Sequence, residues 1–271
     1  LALLADTMIA SFLPSGTMSF LYYADRLYQL PLAVIGIAVG TVLLPNLSQQ
    51  FSRANEEGLQ STLGKAVAAC LLLGFPCAIG LGLLGDVIIE VLFVHGAFNQ
   101  AAAHGAGGAL MAYAVGLPAA IALRSLVSAF HARGDTKTPV KALFVSMAVN
   151  IGLKIILMGS LQHIGLAIST SVGVWIYAGL LMALLIRGGH VKFQPDSIQK
   201  LRMSMVGCAL MVLTIIKGRE VASHLFVGLT PPFLTVAILS VVGFASLLTY
   251  GMPLMAQEMV SRRRRARGKN A

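Results

Sequence analysis

Hydrophobic and polar positions along this chain alternate in blocks, not residue by residue. Seven long apolar runs stand out, at 17–45, 63–84, 107–130, 140–160, 164–186, 201–216 and 229–255. A helix needs roughly 20 apolar residues to cross the ~30 Å hydrocarbon layer of a bilayer. Each run is close to that length, and 201–216 is the shortest. The same pattern argues against a membrane barrel, whose strands alternate polar and apolar residues over ~10 residues. Leu1–Leu13 is too short to span and reads as the end of a further helix. The chain is therefore expected to be a C-terminal portion of a longer protein.

The runs are separated by turn chemistry. The connector 46–62 carries Asn46, Ser48 and a Glu56-Glu57-Gly58 turn, 131–139 reads His-Ala-Arg-Gly-Asp-Thr-Lys-Thr-Pro, and 188–197 holds Gly188, Gly189 and Pro195. Gly134 and Pro139 act as breakers in the second. The stretch 86–100 differs. Val87, Ile88, Val91, Leu92 and Phe98 alternate with Asp86, Glu90 and His95, which predicts an amphipathic interfacial segment rather than a span.

Composition narrows the class. Hydrophobic residues make up 57% of the 271, charged residues 11%, and the mean hydropathy is +0.82. Soluble domains carry about 25% charged residues, so an ordinary soluble enzyme is excluded, as is a disordered chain. The net charge of +10 would suggest nucleic acid in a soluble protein. Here its distribution points elsewhere. With the C-terminus placed inside, the inner side holds Arg53, Lys65, Arg133, Lys137, Lys141, Arg187, Lys192, Lys200 and Arg202, with Arg262–Arg265, Arg267 and Lys269 in the tail. The outer side holds only Lys217 and Arg219. That asymmetry is the positive-inside signature of a multi-pass membrane protein with a cytoplasmic C-terminus; the family resemblance below implies the bacterial inner membrane. The basic tail follows a span, so contact with anionic membrane lipids is expected of it and no nucleic-acid partner is. Cys70, Cys77 and Cys208 sit in apolar runs and read as small buried side chains. No phosphate loop, nucleotide fingerprint, nucleophile motif or metal-ligand spacing is present in the sequence, so no catalytic residue, metal or cofactor is expected.

Charges inside a membrane are costly and mark functional sites. Arg26 lies ten residues from Gly16 and nineteen from Pro45, roughly 15 and 28 Å at helical rise, which is awkward for reaching either interface. Its neighbour Asp25 diverges from it by about 100° on a helix and need not pair with it. Pro31 frees a carbonyl nearby. A cation beside a proline in a span suggests a wet cavity and an anionic ligand. Arg124 either reaches the inner interface or lines that cavity. Asn150 and Lys154 share a helix face at i,i+4. A buried Asp6–Lys154 pair, with Asn150 and Thr170 as hydrogen-bonding neighbours, would satisfy these groups; the alternative is a Lys154 that snorkels outward. Gly36-Ile-Ala-Val-Gly40 is a small-xxx-small pattern that allows close helix contact.

Two segments carry a family resemblance. Tyr22-Tyr23-Ala24-Asp25-Arg26-Leu27, followed by Pro31-Leu-Ala-Val-Ile-Gly-Ile-Ala-Val-Gly-Thr-Val-Leu-Leu-Pro45, resembles the MurJ (MviN) family of lipid II flippases. Ala132-Arg-Gly-Asp-Thr-Lys-Thr-Pro139 is similar to that family's loop in the second lobe. The resemblance covers essentially the whole chain. It implies an all-α exporter of the superfamily with two six-helix lobes, represented here by the end of helix seven and helices eight to fourteen. In residue terms that is 1–13 as a helix end, 14–187 as the second-lobe bundle, 188–198 as a cytoplasmic loop, 199–256 as a C-terminal helix pair and 257–271 as a basic tail. The absent N-terminal lobe becomes a partner.

The resemblance places the family's cavity arginine on Arg26; Asp25 beside it and Arg124, as a candidate cavity-lining residue, are taken with it as the expected cargo-binding residues. It also matches Asp6, Asn150 and Thr170 to a sodium site of some relatives, with Lys154 standing where that site has a second Asp. The implied activity is transport of an undecaprenyl-diphosphate-linked peptidoglycan precursor from the inner to the outer leaflet by alternating access. The rivals are an exporter of another cargo (an O-antigen-type lipid-linked oligosaccharide, or drug/cation antiport) and a non-transporting cell-wall assembly protein.

Overall fold

A computed structural model describes residues 9, 13, 14, 16–52, 55–94, 98–225, 236, 240–253 and 255. Helices α1 (Thr17–Ser52), α2 (Glu56–Phe93), α3 (Gln100–Ala132), α4 (Lys137–Arg187) and α5 (Pro195–Leu225) follow in chain order. A further helix, α6, covers 240–253. All five of the longer helices are long and apolar enough to cross a membrane. The chain divides into two compact units, residues 1–194 and 195–271.

α4 is two helices merged across a break. Gln162, at φ 47° and ψ −127°, is its non-helical residue, and it falls between the apolar runs 140–160 and 164–186. These dihedrals match the first central position of a II′ turn, where Gly is favoured.

The first two helices outrun their apolar runs. α1 has 36 residues and α2 has 38, or roughly 54 and 57 Å, well beyond the ~30 Å layer. Asn46 and Ser48 lie inside α1 instead of a connector, and the Asn46 amide donates to the Val42 carbonyl at 2.8 Å. Glu56 and Glu57 form the first turn of α2, not a free turn. There Asn55 caps the Gly58 N–H at 2.9 Å, and the two carboxylates complement the positive end of the helix dipole.

The expected interfacial segment 86–100 is not a separate element. Residues 86–93 continue α2, with Val87 and Ile89 buried. Nothing between Gly85 and Phe93 breaks a helix. Tertiary packing then buries the apolar side: Tyr23 stacks on Phe93 and Phe98 at 4.7 and 4.8 Å. Asn99 starts α3 by accepting from the Ala102 N–H.

Two turns at the opposite end share one construction. After α3, Gly134 adopts φ +74°, its N–H bonds His131 O, and Asp135 N–H bonds Phe130 O. After α4, Gly189 adopts φ +67°, its N–H bonds Ile186 O, and His190 N–H bonds Leu185 O. Both are Schellman caps, which need a residue at positive φ. Asp135 then accepts from Lys137 N–H and Thr138 N–H, so one short turn closes α3 and opens α4. The Thr138 hydroxyl first, then these N–H bonds, hold the Asp135 carboxyl below its ordinary value. Pro139 sits in the first turn of α4, where its missing N–H costs nothing. Pro195 likewise opens α5, four residues before the expected helix start at 199.

In the first unit α3 packs against α1, α2 and α4. Its buried positions are mostly Ala and Gly. A Cβ on Gly74 would come within 2.9 Å of the Pro118 Cα, and one on Gly116 within 2.9 Å of the Ser171 Cα. Small residues allow this approach where no hydrophobic driving force exists between helices. Hydroxyls tie the seams: Ser171 donates to Ala112 O at 2.6 Å, and Ser125 Oγ lies 3.2 Å from Cys70 Sγ. The second unit is a helix pair, with Gly207 against the Tyr250 backbone and Ser204 Oγ 2.9 Å from the Tyr250 hydroxyl.

Candidate functional site

The exposed side of α1 carries the chemistry. Positions 22, 26, 29, 30, 33, 34, 37 and 41 are all exposed, and they recur at the three- and four-residue spacing of one helix face. Ala24, Leu27, Tyr28 and Ile35 point the other way, into the core. Arg26 is therefore on the open face. Its guanidinium sits 4.8 Å from the ring centroid of Tyr22, one turn earlier, a cation–π distance. Asp25 accepts a hydrogen bond from the Gln29 amide. Tyr22 and Gln29 were not singled out from sequence, although both stand at i,i+4 to the charge they contact, and that spacing is a usable signal.

Arg124 reaches the same face from α3. A Cβ on Gly36 would meet its Cγ at 3.6 Å and its Nε at 3.7 Å, so the arginine stem lies along α1 at that glycine. Gly40 has open space where a Cβ would be. Among the described residues the Gly36–Gly40 pattern, which allows close helix contact, is not met by another helix backbone. It forms the floor of a groove of about 350 Å³ lined by Leu32, Ala33, Ile37, Thr41 and Arg124. Among the described residues, neither Arg26 nor Arg124 has a carboxylate within ion-pair distance.

Lys154 lies elsewhere, 2% exposed in the first half of α4. The groups expected beside it are engaged with backbone. Asn150 donates to Ser169 O at 3.1 Å, and Thr170 donates to Leu166 O at 3.1 Å. Together with the Ser146 bond to Gly173 O at 2.7 Å, Asn150 stitches the two halves of α4. Asp6, the expected partner of Lys154, is outside the described residues, as is the basic tail 257–271.

One polar cluster gathers the ends of three elements. Arg133 bonds Glu56 at 3.0 Å and also meets the His190 ring. Lys192 N–H donates to Gln60 O at 3.2 Å, and the Gln194 amide to Ser61 Oγ at 2.8 Å. A Cβ at Gly64 would strike the Lys192 carbonyl. Desolvation, reinforced by Arg133 and opposed by Glu56, lowers the His190 pKa. The connectors around 56–61, 133 and 188–194 therefore share one end of the bundle. At the other end His163 lies 3.1 Å from Gly105 O and edge-on to Phe20. Among the described residues no group of His, Cys, Asp and Glu side chains could hold a metal ion.

Comparison with known proteins adds a family. A family model described as "Lipid II flippase MurJ" matches residues 1–252. A protein of Vibrio cholerae named "Probable lipid II flippase MurJ" is 34% identical over 251 residues, 91% of this chain and 47% of its own length. One of Rhizobium tropici, named likewise, is 37% identical over 72% of this chain and 37% of its length. A "Lipid II flippase MurJ" of Burkholderia cenocepacia is 32% identical over 78% and 41%. A solved structure titled "Lipid II flippase MurJ, inward closed conformation" superposes with TM-score 0.75 and 25% identity, over 96% of this chain and 51% of that one. The chain spans about half the length of the relatives it matches.

Proposed function

This chain belongs to the MurJ lipid II flippase family, and from that premise we propose that it supplies the second lobe and C-terminal helices of a transporter, not an enzyme, that moves lipid II across the bacterial inner membrane. The carrying observation is Arg26: a guanidinium on the exposed face of α1, within its apolar run, with no carboxylate within ion-pair distance among the described residues. An uncompensated cation at that depth is costly unless it faces water and an anion. The diphosphate of a polyprenyl-linked precursor is such an anion, and guanidinium matches phosphate oxygens in a planar fork. Asp25, its neighbour in sequence, accepts a hydrogen bond from Gln29. A first lobe of the family would complete the cavity, and rocking between lobes around a fixed site provides alternating access.

Losing one charge-assisted contact in such a cavity costs roughly 2–3 kcal/mol, about 30- to 150-fold in binding. Arg26→Ala in the full-length protein is expected to insert and fold while lipid II translocation per inserted molecule nearly stops; Arg26→Lys keeps part of it. Normal flux in Arg26→Ala would sink the assignment.

The orientation rests on the basic asymmetry and on the shared end of the three polar connectors. It puts 133–136, 188–194 and the C-terminus in the cytoplasm. A cysteine at Thr136 should resist an impermeant reagent in intact cells, and labelling from outside would reverse the topology. The same reading pairs Lys154 with Asp6 as a buried ion pair, so removing either group should cost about 3–5 kcal/mol. A Lys154→Ala variant as stable as the parent would dismiss the pair.

A further inference from the structure

Resting on the reading of Arg26 as the cargo-binding cation, we propose that Tyr22 is its positioning residue, a ring that holds the guanidinium in place for phosphate without neutralising it. The contact follows from helix geometry. Residues 22 and 26 stand one turn apart on the same exposed face of α1, and side chains lean toward the N-terminus of their helix. The Arg26 stem therefore runs back over Tyr22, and its guanidinium carbon lies 4.8 Å from the ring centroid. An aromatic face attracts a cation through its quadrupole. The face brings no formal charge, so the planar N–H fork of Arg26 stays available to phosphate oxygens. A carboxylate in the same place would occupy the fork and cancel the charge.

The ring is itself held. Tyr22 is 55% exposed, and an exposed ring on a bare helix would move between rotamers. Its neighbour Tyr23 meets it edge-on, with centroids 5.7 Å apart and planes at 81°, an arrangement aromatic pairs favour. Tyr23 in turn packs on Phe93 at the end of α2 and on Phe98 just before α3. Phe93 and Phe98 also meet each other, at 6.4 Å. An aromatic row thus runs from Phe93 and Phe98 through Tyr23 and Tyr22 to Arg26. Immobilising a rotamer-rich side chain on binding costs roughly 2- to 12-fold in affinity. A guanidinium already restrained over Tyr22 avoids part of that cost. The ring therefore acts on cargo affinity through Arg26, not by touching cargo.

Lipid II binding to the full-length protein, with phenylalanines of increasing ring fluorination placed at position 22, tests this. Each fluorine weakens the negative face while the ring keeps its shape. Tyr22→Phe should bind within about twofold of the parent, because the face is kept. Added fluorines should weaken binding stepwise, toward the roughly fivefold loss expected of Tyr22→Leu. In an Arg26→Ala background, measured at raised lipid II concentration, the same fluorines should change nothing. Flat binding across the series would overturn the proposal, since a ring that only packs is indifferent to its quadrupole. A stepwise loss that persists without Arg26 would also overturn it, because the ring would then act on something else. A loss in Tyr22→Phe equal to that in Tyr22→Leu would place the role in the hydroxyl, against the proposal. Arg26→Ala binding lipid II as the parent does would remove the cargo reading itself, and the proposal with it.

Discussion

α3 and α1 are both long apolar helices, yet they do opposite things. Among the four helices of the first unit, α3 is the least apolar and the most buried, while α1 is more apolar and largely exposed. In water that order would be reversed. In lipid the outside is as apolar as the inside, so hydropathy reports contact with the membrane and small residues report contact with protein. α3 offers Ala103, Ala106, Ala109, Ala112 and Gly116 to its neighbours. α1 offers Val34, Ile37 and Val42 to the outside, with Arg26 among them. The core is therefore specified by absence of side chain, and the functional face by a charge that the core does not cover.

The sharpest way to break this comparison uses glycines. Gly116→Leu drives a side chain into the Ser171 backbone and should cost about 3 kcal/mol or more, with loss of folded protein after detergent extraction. Gly40→Leu enters open groove and should leave thermal stability within about 0.5 kcal/mol. Equal stability of the two would mean that α3 is not the central helix. A smaller effect is expected from Ser171→Ala, which removes the bond to Ala112 O. Hydrogen bonds between membrane helices average about 0.6 kcal/mol, and a double-mutant cycle with a distant seam such as Ser146 should be additive.

At Gln162 the expected change is a gain. Its φ of +47° strains a residue with a side chain, and Gln162→Gly should raise stability by up to about 1 kcal/mol, read as a higher melting temperature. A loss would show that the Gln162 side chain contributes more than its backbone costs.

The smallest effect lies at the polar cluster. The lowered His190 pKa means that the folded state holds fewer protons there than the unfolded state. Its contribution to stability is intact above the unfolded value of ~6.5 and fades as pH falls below it. Protection factors at 188–194, taken against the intrinsic exchange rate at each pH, should fall between about pH 7 and pH 5.5, and His190→Gln should flatten that dependence while Arg133 and Glu56 stay paired. Protection factors unchanged with pH would mean that the histidine does not contribute to the polar cluster.

Much of this was legible in residues. The breaks near 133–136, 162 and 188–190 follow from Gly134, Gly189 and the polar interruptions between apolar runs, because helix caps are local chemistry. The cost of a mid-span charge singled out Arg26 without any structure. What resisted reading has a common cause. Helix ends beyond the bilayer, such as Asn46–Ser52 and Glu56–Thr62, are polar whether or not they are helical, so polarity was mistaken for a connector. The stretch after Gly85 looked interfacial because one of its faces is apolar, and only the Tyr23–Phe93–Phe98 contact shows what covers that face.

The glycine pair at 36 and 40 states the division most clearly. By itself the sequence determined that the chain spans a membrane repeatedly, where the turns at Gly134 and Gly189 fall, and which charge within an apolar run is too costly to be incidental, since each depends on length, local caps or the energy of a buried ion. Whether two glycines would meet a neighbouring helix or leave a groove was not determined there. Missing side chains permit both outcomes, and the choice was made by what the fold placed opposite them: the stem of Arg124 across Gly36, and open space at Gly40.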